Sequence, residues 1–189
     1  MIDPVMVIGT GRCGSSFVSG IFHKDFHISM GTKFKRPDTR TVGGDFEDAE
    51  IKRNNQNLLN NDVTFHGWMK IFSLIIENRC SVGGPWGYKD PRTIELLGLH
   101  LSFFDRPKII WCIRNRDLVI KSLVEKFSFT EDRAKLLHDS RIVFGRRLMR
   151  GRDYLPIRFT EERRSREDVI QAIHDKWGGE FDAQTTRSG

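Results

Sequence analysis

The chain concentrates its chemistry-bearing residues at the ends of three apolar runs. The first is Gly9-Thr10-Gly11-Arg12-Cys13-Gly14-Ser15-Ser16, which follows Val5-Met6-Val7-Ile8 and precedes a stretch of helical pattern. Three glycines allow a tight turn. Backbone N–H groups at a helix start then converge with two hydroxyls and one guanidinium, which is a site for an anion, above all a phosphate. The second is Trp86-Gly87-Tyr88-Lys89-Asp90-Pro91-Arg92-Thr93, in which Lys89 and Arg92 stand at the end of a short run. In parallel α/β sheets ligands lie beyond the carboxyl ends of the strands, so both cations are candidates to face the glycine loop. The third is Ile109-Ile110-Trp111-Cys112-Ile113-Arg114, with Ser122 eight positions after Arg114 in the next helical stretch. An Arg at a strand end and a Ser in the following helix can clamp a second phosphate.

The glycine spacing alone leaves alternatives open. Gly9-x-Gly11-x-x-Gly14 satisfies the dinucleotide-binding pattern, which also asks for an acid about 20 positions on to hold a ribose. The chain has Ile28-Ser29-Met30-Gly31-Thr32-Lys33 there, so this option survives as an NADP site using Lys33 or Lys35. A Walker A loop is excluded, because its Lys-Ser/Thr pair is missing.

These groups need elements to hold them. Val5–Ile8, Trp86–Lys89, Lys108–Ile113 and Leu155–Phe159 read as strands, and His27–Met30 as a further short one. Helices are expected over 15–23, 46–59, 65–79, 93–103, 117–127 and 130–149. A last helix capped by Ser165 should close at Gly178-Gly179. The alternation predicts an α/β fold: a single domain over 1–178 with a mostly parallel central sheet flanked by helices, and a frayed tail over 179–189. The polar segment 31–44 reads as a long loop.

Of 189 residues, 38% are hydrophobic and 30% charged, an ordinary composition that excludes collagen-like and low-complexity chains. The apolar runs are too short to span a bilayer. Thirty-one Lys+Arg against 25 Asp+Glu give a net charge of +6, which favours anionic partners. Cys13, Cys80 and Cys112 are odd in number with no CxxC pair, which fits a reducing compartment. The N-terminus lacks the pattern of a signal peptide, so a cytoplasmic location is expected.

Taken in order, the motifs resemble the sulfotransferases that use 3′-phosphoadenosine 5′-phosphosulfate (PAPS), in particular bacterial and phage-type members with a P-loop-like fold. Gly11-Arg12-Cys13-Gly14-Ser15-Ser16-Phe17 resembles their 5′-phosphosulfate loop, a Lys or Arg followed by Ser-Gly-Thr-Thr. Arg114-Asn115-Arg116-Asp117 with Ser122 resembles their 3′-phosphate motif, Arg-Asn-Pro-x-Asp with a Ser at the same offset. Lys89-Asp90-Pro91-Arg92 is similar to a segment of the bacterial and protein-tyrosine branches. Gly43-Gly44-Asp45-Phe46-Glu47-Asp48 is similar to a Gly-Tyr-Phe-Glu-Asp stretch, and Pro156–Phe159 to a late strand. The chain departs from the pattern at Arg116 in place of Pro, at Thr160 in place of Glu, and in lacking a C-terminal Arg-Lys-Gly segment.

The resemblance implies transfer of a sulfuryl group from PAPS to a hydroxyl or amine acceptor, a sugar or peptide among them. It requires neither a metal nor a membrane, and nucleic acid is not an expected partner. It implies that Gly11, Arg12, Cys13, Gly14, Ser15 and Ser16 hold the 5′-phosphate, and that Arg114 and Ser122 hold the 3′-phosphate. Arg12 would neutralise the leaving phosphate and Lys89 the sulfonyl oxygens, as electrostatic stabilisation of an in-line displacement demands. Glu47 is the expected general base. Asp45, Asp48, His66 and His100 are its rivals. The competing functions are an NADP-binding oxidoreductase and a non-catalytic nucleotide binder.

Overall fold

Val5-Met6-Val7-Ile8 has no polar face, which suits a strand covered on both sides. In the computed structural model, which describes residues 3–31, 46–160 and 164–185, it forms β1 (Val5–Gly9), buried throughout. β2 (Gly87–Lys89), β3 (Lys108–Arg114) and β4 (Leu155–Phe159) complete a four-stranded, all-parallel sheet in the order β2-β1-β3-β4. The fold is α/β, as expected.

Successive residues of a strand face opposite ways, and the two faces build separate cores. Val5, Val7, Ile110, Cys112, Ile157 and Phe159 pack under α1 (Ser15–Lys24) and α7 (Arg166–Thr185). Met6, Ile8, Tyr88, Ile109 and Trp111 face the other layer. That layer holds α2 (Ala49–Leu59), α3 (Phe65–Val82), α4 (Leu97–Leu101) and the end of α6 (Glu131–Met149). α5 (Arg116–Phe127) packs on α6 through Val119, Ile120, Leu123 and Ala134.

Four expected elements differ. Residues 27–30 make only an isolated bridge, Ser29 to Trp86, because His27 and Gly31 on either side adopt positive φ (52° and 134°). The helix expected from Phe46 starts at Ala49, since the Asp48 side chain accepts from the N–H groups of Glu50 (3.0 Å) and Ile51 (3.1 Å). The helix expected over 93–103 is a 3-10 turn, Pro91–Ile94, followed by α4, with Leu96 breaking the geometry between them. Finally, α7 passes through Gly178-Gly179 and runs to Thr185, where the sequence predicted a stop and a frayed tail. Each helical glycine costs about 1 kcal/mol, so the pair costs about 2 kcal/mol. Burying Phe181, 4% exposed against Phe22, Phe26 and Trp177, returns about 1.5–3 kcal/mol. Residues 186–189 lie outside the described residues.

Candidate active site

The glycine loop joins β1 to α1 along the carboxyl edge of the sheet. Its geometry demands small residues at two points. A Cβ on Gly9 would sit 2.9 Å from the Cys112 carbonyl oxygen, and one on Gly14 2.6 Å from the Phe159 ring. Gly14 is also left-handed, with φ 89°. Gly14 gives α1 no side-chain cap, and the first turn of α1 carries no acid. The positive end of the helix therefore keeps its charge for a ligand. Three successive loop carbonyls are each occupied by a donor. Thr10 O accepts from Arg141 Nη1 (2.9 Å), Gly11 O from Thr10 Oγ1 (3.3 Å), and Arg12 O from Arg114 Nη1 (3.2 Å).

Lys89 ends β2 and is 3% exposed. Its Nζ donates to Ser16 Oγ at 3.3 Å and to Glu47 Oε1 at 2.9 Å. The second Glu47 oxygen meets Lys52 Nζ at 2.5 Å. Burial raises the Glu47 pKa, but Lys89 and then Lys52 outweigh it and bring it down to about 2. Glu47 lines the cleft, whereas Asp48 caps α2, is fully buried and pairs with Arg79 at 2.8 Å. Of the other rivals, Asp45 lies outside the described residues. His66 is exposed and does not line the cleft. His100 is sealed in the core between Tyr88 Oη (2.9 Å) and Asn55 Oδ1 (3.0 Å), and burial lowers its pKa to about 3.

Arg12 takes a left-handed φ of 55° and turns its side chain to α5, where Nε donates to Ser122 Oγ at 2.9 Å and the guanidinium lies 5.6 Å from the Phe127 ring centre. Arg114 reaches the same loop from β3. The structure thus brings Arg12, Ser122 and Arg114 to one side of the loop and Lys89, Ser16 and Glu47 to the other. Arg92 lines the cleft, held by Asp90 (2.7 Å) and Gln56 (2.6 Å). A buried network supports that turn: Asn55 donates to Asp90 (3.0 Å) and accepts from Trp68 Nε1 (3.1 Å).

Arg141 is not among the residues that the sequence motifs single out. Arg141 is 8% exposed and pairs with Glu95 at 2.5 Å. The signal lay in periodicity. Ala134, His138, Arg141, Gly145 and Met149 recur at three- and four-residue steps and form the buried face of α6.

Arg12, Ser16, Glu47, Lys89, Arg92, Arg114 and Arg141 line one cleft of about 1260 Å³, and Ser122 stands behind Arg12. Among the described residues, eleven lysines and arginines line it against three carboxylates, a charge balance that suits an anion. No group of three potential metal ligands occurs among the described residues, and no helix there is long and apolar enough to cross a membrane.

A family model described as "Sulfotransferase family" matches residues 4–155. No curated protein matches the chain. Among solved structures, an uncharacterized protein from Eubacterium ventriosum is similar at 12% identity, with a TM-score of 0.51 over 92% of this chain and 97% of that one. A putative kinase from Chloroflexus aurantiacus aligns at 12% identity with a TM-score of 0.49, over 95% of this chain and 98% of that one. At such identities the first likeness speaks for the fold alone.

Proposed function

The chain belongs to the sulfotransferase family, and we propose that it transfers a sulfuryl group from PAPS to a hydroxyl acceptor. The observation that carries this reading is the position of Lys89, between Ser16 of the anion-binding loop and the carboxylate of Glu47. Cradle, cation and proton acceptor meet there at one point.

The residues present fit such a donor. The loop from Gly11 to Ser16 and the N-terminus of α1 would take the 5′-phosphate. Arg114 and Ser122, across the loop from Lys89, would take the 3′-phosphate. With both phosphates so held, the nucleotide lies along β1, β3 and β4, and the group to be transferred faces β2. The donor brings an activated sulfuryl group, and this chain's residues stabilise and orient it. Lys89 would neutralise sulfonyl oxygens. Arg12 would serve the leaving phosphate, which requires it to exchange Ser122 for the ligand. Glu47 would accept the acceptor's proton. While Lys89 and Lys52 both hold it, its pKa of about 2 makes it a weak base. Lys89 turning to sulfonyl oxygens would leave Glu47 with Lys52 alone and raise its basicity at the moment of use.

The acceptor enters from the β2 side, between Lys52, Gln56 and Leu59 of α2 and Arg92 of the following turn, all of which line the cleft. The cleft exceeds the roughly 300–1,000 Å³ of a single-ligand pocket, which favours two substrates side by side. The NADP alternative is disfavoured, because Ile28–Met30 supplies neither a full strand next to β1 nor an acid for a ribose.

Calorimetry with adenosine 3′,5′-bisphosphate and 5′-AMP tests the donor assignment. The bisphosphate should bind more tightly by about 1.5–3 kcal/mol, the worth of a charge-assisted contact. Arg114→Ala should remove most of the difference. Equal affinities in the wild type would overturn the assignment. Labelled PAPS with a panel of sugars, phenols and peptides then separates an enzyme from a non-catalytic binder.

A further inference from the structure

We propose that Arg141 of α6, set by Glu95, is a positioning residue that aims the glycine loop at the donor's 5′-phosphate. A trans peptide is planar, so its N–H points away from its C=O. Fixing a carbonyl therefore aims the N–H of the next residue. Arg141 on Thr10 O fixes the peptide that carries the Gly11 N–H. The Thr10 hydroxyl on Gly11 O fixes that of Arg12, and Arg114 on Arg12 O fixes that of Cys13. Three consecutive carbonyls, whose negative ends would repel a phosphate, are held by donors. Their amides are committed to the opposite side.

The loop needs such a clamp. Gly11 and Arg12 both have positive φ, 84° and 55°, and a backbone in this region persists only where its surroundings over-determine it. Arg141 comes from 131 residues away in sequence and is buried with the loop. Its Nη1 lies 3.5 Å from where a Gly11 Cβ would stand, so the guanidinium is packed directly on the turn. Glu95 binds Nε at 2.5 Å, which fixes the guanidinium plane and offsets its charge. Arg141 thus acts through the Thr10 carbonyl. The task needs a guanidinium, because two different nitrogens serve two partners in fixed directions, which an ammonium does not reproduce.

The test measures two ratios by calorimetry on the full chain. Adenosine 3′,5′-bisphosphate against 3′-AMP reports the worth of the 5′-phosphate, and the bisphosphate against 5′-AMP that of the 3′-phosphate. Arg141→Met should lower the first ratio about tenfold or more, the loss of one charge-assisted contact's worth of loop order, and leave the second unchanged. Arg141→Lys should recover little. Glu95→Gln, which keeps an acceptor for Nε but removes the charge, should lower the first ratio by less, and it decides the matter if Arg141→Met does not fold. Equal falls in both ratios would mean general loosening and overturn the proposal, as would no fall at all. The proposal rests on the donor reading only for its probes. If the wild type gains nothing from the 3′-phosphate, that reading fails while the first ratio still judges Arg141.

Discussion

Replacing Lys89 by Met removes a charge and keeps the length and apolar stem of the side chain, so the strand end stays packed. Lys89 is nearly buried, and the Glu47 side chain is 13% exposed, so solvent screens their contact little. The Glu47 pKa falls from 4.5 to about 2 in the fold: desolvation pushes it up, and Lys89 heads the forces that pull it down. At about 1.4 kcal/mol per unit, the ionised carboxylate contributes at most about 3 kcal/mol to stability. The folded value lies below the unfolded one. The contribution is therefore complete above about pH 4.5 and is lost as pH falls toward 2. In Lys89→Met only Lys52 opposes desolvation, so the Glu47 pKa rises and most of that contribution disappears. Urea denaturation of both proteins from pH 3 to pH 7 should show the variant less stable by up to about 3 kcal/mol at neutral pH, with the gap falling to roughly half by pH 3. Carboxylates remote from this pair cancel, while the buried Asp90, which feels the Glu47 charge, shifts with it. Turnover should fall about 10²–10³-fold if Lys89 also stabilises transition-state charge. A stability difference independent of pH would refute the coupling, and full activity would refute the catalytic role.

Glu47→Gln should slow transfer by about 10²–10⁴-fold without weakening nucleotide binding, as measured by single-turnover transfer and calorimetry; a wild-type rate would remove Glu47 from the base role. Gly14→Ala should cost about 2–5 kcal/mol in denaturant unfolding, combining left-handed strain with the clash against Phe159. Phe159→Ala in the same chain should relieve part of that cost, and no relief would show that the ring is not the obstacle. Phe181→Ala should cost about 3 kcal/mol, and a negligible change would mean that the end of α7 is not docked.

The parts legible in the sequence are those set by local pattern. β4 begins and ends where its alternating pattern does, at Leu155 and Phe159, with Ile157 and Phe159 buried and Arg158 exposed. Gly9 and Gly14 sit where sterics exclude a Cβ, and Gly11 where φ is positive. What escaped was decided by distant partners. Asp48 stands next to Glu47, yet one side chain caps α2 and faces Arg79 while the other faces Lys89, and composition does not separate them. Gly178-Gly179 is a sound stop signal until Phe181 has a core to enter. Arg141 belongs to an arginine-rich helix, and its value comes from a carbonyl at Thr10, which only the fold brings near.

Four cations of the cleft are already engaged with protein partners. Lys89 holds Glu47, Arg12 holds Ser122, Arg114 holds a loop carbonyl, and Arg92 holds Asp90. Binding a polyanion here is therefore an exchange of partners, and its free energy is a difference between two sets of contacts. That lowers ground-state affinity relative to a count of eleven positive groups. It also separates two kinds of contact. Arg141 and Arg114 keep the loop in shape whether or not a ligand is bound. In the proposed mechanism Lys89 and Arg12 would let go of Glu47 and Ser122 to reach the reacting group, and interactions gained late in this way act on the transition state more than on the bound substrate. The same exchange frees Glu47 only when an anion has taken Lys89, which ties the strength of the proposed base to the presence of the donor.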